Sequence, residues 1–223
     1  MVTPLPRRRP CVVARQAVSL DELSGGRLTL GVGIGDPVEQ EFGYFGEKLS
    51  AKTRAEMLDE GLNVMTGLWT GAPFRYEGKH YRLKEMIFKP TPLQSPRIPI
   101  WVAGAWPNKA PFRRAARWDG VYPVRWESPL GPDDLREIAA YIGRYRTSNG
   151  RFDVVHGGTT PGDDLEKAVN IVSPFAEAGV TWWVEDLGPE RFRPFTYDSS
   201  YVWPVEEMRQ RIRQGPPKLE RKG

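Results

Sequence analysis

The chain has 223 residues, 39% of them hydrophobic, enough for a folded domain with a sizeable core. Its 32 basic and 28 acidic residues leave a net charge of +4, too balanced to indicate a nucleic-acid partner; Arg7-Arg8-Arg9 stands alone before Pro10 and reads as a solvated loop or an anchor between elements. The single cysteine, Cys11, excludes an intrachain disulfide and a cysteine metal cluster, no secretory h-region opens the chain, and no apolar run approaches the roughly 18 residues of a membrane span, so a cytoplasmic protein with no membrane partner is expected.

In chain order, the spacing predicts a helix from Pro10 to Leu23, then a strand over 27–35 in the segment GGRLTLGVGIGD. Leu28, Leu30, Val32 and Ile34 supply its apolar side chains. Gly31, Gly33 and Gly35 remove the Cβ at alternate positions, so the backbone can bend or a flat ligand can lie against it. Thr53 and Glu56 read as a capping box opening a helix that carries Met57, Leu58, Leu62, Met65, Leu68 and Trp69 and stops near Gly71. Residues 72–97, rich in Pro, Gly and Tyr, read as an excursion loop or small hairpin.

A second strand, 98–104, ends in glycine before a helix opened by Pro107. A short strand at 119–124 precedes a helix from Pro132 to about Arg146, and a strand at 152–157 precedes a helix from Pro161 to about Ala178, which Pro174 should kink. The last strand covers 180–187, and a final helix begins near Pro204. Five strands, each followed by a helix, demand a parallel sheet, read as one domain over 1–223. The pattern fits an open doubly wound sheet and also part of a (β/α)8 barrel of about 250 residues; periodicity does not choose between them.

The segments RRRPCVVARQAVSLDELSGGRLTLGVGIGD (7–36), RAEMLDEGLNVMTGLWTG (54–71), YEGKHYRLKEMIFKPTPLQSPRIPIWVAG (76–104), RRAARWDGVYPV (113–124), HGGTTPGDD (156–164) and EAGVTWWVEDL (177–187) resemble the luciferase-like flavin-dependent monooxygenases and oxidoreductases. The resemblance implies an incomplete (β/α)8 TIM barrel, about five βα units equivalent to its strands 4–8. Roughly 80 to 90 residues would precede it in a full barrel of about 250. It also implies reduced FMN or the deazaflavin coenzyme F420 as cofactor, oxygenation or hydride transfer on a small organic substrate, and NAD(P)H as an indirect reductant. A flavin reductase and a second copy of the chain are the partners it suggests.

Candidate site residues follow from the strand ends. The turn Gly33-Ile34-Gly35-Asp36 would lie near the flavin, with Asp36 as an acid, a base or a hydrogen-bonding group; a loop cap is its plainer role. Gly104, Ala105, Trp106 and Asn108, at a strand-to-helix turn, would seat a flavin phosphate, with Lys109 adding charge, although Ala105 stands where related proteins carry a hydroxyl. Gly158 and Thr159 form a second phosphate candidate, where Thr160 also suits an N-cap before Pro161. His156 ends a strand where it could shuttle protons, and His80 sits in the excursion as a lid candidate; both are also ordinary structural positions. Trp101, Trp106 and Tyr122 would wall the pocket or fill the core. No metal-ligand spacing is present. The competing readings are a catalytically inactive fragment or flavin-binding, dimerising subunit, and a phosphate-binding barrel isomerase using Asp36 or Glu185.

Overall fold

The computed structural model describes residues 2–47, 50–194, 196 and 201–217. Chain order is strand β1 (Thr3–Pro4), helix α1 (Pro10–Leu23), β2 (Leu30–Gly33), the single turn α2 (Val38–Glu41), α3 (Ala51–Trp69), β3 (Phe74–Glu77) and β4 (Arg82–Met86). It continues with β5 (Ile100–Ala105), α4 (Lys109–Ala115), β6 (Gly120–Val124), α5 (Pro132–Gly143), β7 (Asp153–Gly158), α6 (Leu165–Glu177), β8 (Trp182–Glu185) and α7 (Val205–Gln214). None of the helices is long and apolar enough to cross a membrane among the described residues.

Six strands form one parallel sheet in the order β1-β2-β5-β6-β7-β8, while β3 and β4 make a separate antiparallel hairpin. The sheet is open, the arrangement of an incomplete barrel. Strand β1 is an addition to the five that the sequence pattern predicts: Thr3 pairs with Val32 and Pro4 with Gly33. Two residues beside prolines carry no alternation to read.

Alternation along the strands sorts the two faces. Val32, Ile100, Val102 and Val121 are buried with the apolar stripes of the helices in one core cluster. On α1 that stripe is Val13, Ala14, Ala17 and Val18; on α3 it is Leu58, Leu62, Met65 and Leu68. The Trp69 indole donates to the Ala14 carbonyl at 3.1 Å and ties the two helices together. The other face carries Gly33, Ala103, Tyr122 and Gly157, with Trp101 tilted against Trp182 at 5.6 Å between ring centres.

Three helix starts differ from expectation. Ser50, not Thr53, caps α3 by accepting the Thr53 N–H at 3.0 Å, and Glu56 instead meets the Lys79 ammonium and the His80 ring across the hairpin. Asp164 caps α6 by accepting the Lys167 N–H, because Thr160 is committed to Glu185. Asn108, not Pro107, opens α4. Arg7 pairs with Glu41 and lies over the Phe45 ring, so the basic run anchors β1 to α2.

Candidate active site

The carboxyl ends of β1, β2, β5 and β6 frame a cavity of about 430 Å³, to which helices α2, α3 and α4 add Glu41, Arg54, Pro111 and Arg114. The turn Gly33–Asp36 forms one wall, Ala103–Ala105 with Asn108 a second, and Tyr122, Val124 and Trp126 a third. The two glycine turns that the sequence singles out therefore share one rim. Gly35 has φ of +87°, and a Cβ there would sit 2.6 Å from the Phe42 ring, so this turn requires glycine. At Gly104 a Cβ would meet Pro111 at 2.3 Å; the bare backbone lets α4 pack closely behind the cavity wall.

Arg54 is the principal residue that sequence reasoning missed. It is 4% exposed, lines the cavity and donates from Nη1 to the carbonyls of Ile34 (3.0 Å) and Gly35 (2.5 Å). Its Nε has no partner and no carboxylate pairs with it among the described residues. The guanidinium also lies over the Phe42 ring at 5.1 Å; carbonyls and a ring face leave its charge without a carboxylate among the described residues, which favours an anion beside it. Arg114 also lines the cavity, but Asp59 accepts from its Nε at 2.8 Å and from its Nη2 at 3.0 Å.

Asp36 is exposed at the cavity rim, joined there by Gly33, Gly35, Gly104, Ala105 and Asn108. Asn108 is half-committed, since its side chain accepts the Ala110 N–H at 3.3 Å. Trp106 is not part of the lining: it packs edge-on against Phe112 in the core, with the Lys109 ammonium 3.4 Å from its ring centre.

His156, Gly158 and Thr159 lie away from the cavity. The His156 ring stacks on Phe175 of α6 at 4.6 Å on the helix-covered face, and burial lowers its pKa by disfavouring the charged form. The Trp183 ring fills the space that a Cβ on Gly158 would need. Beside it, the Glu185 carboxylate accepts from Thr160, Trp183 and Arg191, and Arg211 of α7 donates to Thr160 and pairs with Glu185 at 3.3 Å. Burial raises the Glu185 pKa, but these hydrogen bonds outweigh it and hold the carboxyl below its ordinary range. The chain's own side chains thus occupy the late loop and its carboxylate. His80 contacts Glu56 and lies outside the cavity lining, and the hydrogen bonds from Lys79 and His80 pull Glu56 down to about 2.

The family model described as luciferase-like monooxygenase matches residues 1–195. An uncharacterized protein of Mycobacterium tuberculosis is 36% identical over 151 residues, covering 67% of this chain and 48% of its own length. An F420-dependent glucose-6-phosphate dehydrogenase of Gordonia bronchialis is 33% identical over 113 residues (50% of this chain, 33% of that one). An FMNH(2)-dependent dimethylsulfone monooxygenase of Pseudomonas putida is 30% identical over 139 residues (60% and 38%). The chain spans about half the length or less of these relatives. Among solved structures, an F420-dependent secondary alcohol dehydrogenase superposes with a TM-score of 0.65 at 16% identity, over 82% of this chain and 71% of that one. The F420-dependent tetrahydromethanopterin reductase of Methanopyrus kandleri gives 0.62 at 18%, over 79% and 73%. These likenesses establish the fold.

Proposed function

The chain belongs to the luciferase-like monooxygenase family, and from that premise we propose that it is an oxidoreductase of a small organic substrate that holds FMN or F420 in the β1–β6 cavity. One observation carries the reading: Arg54, buried and unpaired by any carboxylate among the described residues, lines a cavity walled by two glycine turns. The cofactor's phosphate group supplies the anion that this guanidinium lacks, and the cavity wall of bare backbone suits a flat ring. When bound, such a cofactor supplies hydride transfer, or oxygen chemistry in the case of FMN.

The chain's own residues divide the remaining work. Arg54 holds the negative charge of the ligand and, through Ile34 and Gly35, fixes the turn that leads to Asp36. Asp36 stands at the rim, where a carboxylate can accept a proton from a substrate hydroxyl or return one. Val2, Ile34 and Val124 keep part of the lining apolar and exclude water from that side. The relatives named for F420 and for FMNH(2) support either cofactor.

Fluorescence titration with FMN, riboflavin and F420 tests the reading. Binding of FMN or F420 is expected, with Arg54→Gln weakening FMN about ten- to a hundred-fold while riboflavin, which has no phosphate, is barely affected. Failure of FMN and F420 to bind the wild-type protein overturns it.

A further inference from the structure

We propose that Trp126 is the platform on which the flavin ring stacks, a specificity-determining residue for flat conjugated ligands in this cavity. The proposal rests on the flavin reading above.

Tyr122, Val124 and Trp126 stand two residues apart, and all three line the cavity. The alternation of β6 therefore continues past its last residue and places Trp126 on the face that carries Gly33, Ala103 and Tyr122. Trp126 is nonetheless 66% exposed. Trp69 and Trp106 are buried in the core, while Trp101 meets Trp182 and Trp183 meets Phe175 and His156. Among the described residues no ring packs against Trp126. A large aromatic side chain left in water at a cavity mouth is a surface for a ligand ring.

The loop that presents it is stapled. The Arg125 guanidinium donates to both Asp134 oxygens, at 2.8 and 2.9 Å, and to the carbonyls of Ser128 (3.2 Å) and Pro129 (2.8 Å). Asp134 in turn accepts the Gly131 N–H at 2.8 Å and so caps α5. Five hydrogen bonds tie residues 125–131 to one another and to Asp134, which lowers the cost of ordering this loop when a ring stacks on Trp126.

Titration of FMN and riboflavin into wild-type protein, Trp126→Ala and Trp126→Phe tests this, with thermal melts checking that the variants fold. Trp126→Ala is expected to weaken both ligands by the same factor, about ten-fold, and to abolish a red shift of the bound flavin's absorbance; Trp126→Phe retains most of the affinity. This pattern differs from that of Arg54→Gln, which weakens only the phosphorylated ligand. Wild-type protein that binds flavin while Trp126→Ala binds equally well overturns the platform and leaves the flavin reading standing. Loss confined to FMN also overturns the platform. Wild-type protein that binds neither flavin overturns the platform, and the functional reading falls with it only if F420 is not bound either.

Discussion

Arg54 occupies a position where an amphipathic helix ordinarily carries a leucine. Leu58, Gly61, Leu62 and Met65 follow it at helical spacing on the buried face of α3. A charged residue on an apolar stripe was therefore legible as a candidate, and only the partner it lacks required coordinates. The glycine turns were legible outright, because alternate missing Cβ atoms at a strand end have few structural uses. His156 and Trp106 were not: strand position places a residue near the rim, and the parity of one residue decides whether it faces the cavity or the helices. Gly35 offers the sharpest test at this scale. Gly35→Ala puts a Cβ at positive φ and 2.6 Å from Phe42, and is expected to destabilise the fold by about 2 kcal/mol or more. Urea denaturation should show a lower midpoint at unchanged slope; an unchanged midpoint contradicts the account of the turn.

Element positions followed from periodicity, while element ends depended on which polar side chain reached a free N–H first. Ser50 and Asp164 cap helices whose starts read otherwise, because Glu56 and Thr160 were drawn to partners distant in sequence, the hairpin and Glu185. Glu185 joins β8 to the β7–α6 loop, to Arg191 and to α7. Replacing it with glutamine leaves two mostly buried guanidinium groups without their carboxylate while keeping an acceptor oxygen, and Glu185→Gln is expected to cost about 1–3 kcal/mol at neutral pH. Since the folded-state pKa is depressed, the contribution of the carboxylate is complete above the ordinary glutamate value of about 4.3 and is lost as pH falls through the lower folded value. Thermal melts from pH 7 to pH 3 should show the gap between wild type and Glu185→Gln closing at the acid end; a gap that stays constant contradicts the assignment.

At the scale of the molecule, alternating strands and helices specified a parallel sheet without specifying whether it closes, since closure depends on strand number and tilt rather than on any local pattern. The sheet is open, and the cavity lies at the carboxyl ends of its strands, where parallel α/β sheets gather ligands. Two candidate phosphate seats were visible in the sequence. The late one is filled by Trp183, Thr160 and Arg211, which leaves the β2–β5 rim with Arg54 beneath it. A crystal of this protein soaked with FMN tests that choice most directly. The account predicts density for the phosphate within hydrogen-bonding reach of the Arg54 guanidinium and for the ring against Trp126. Density over residues 158–162, away from both Arg54 and Trp126, would contradict it.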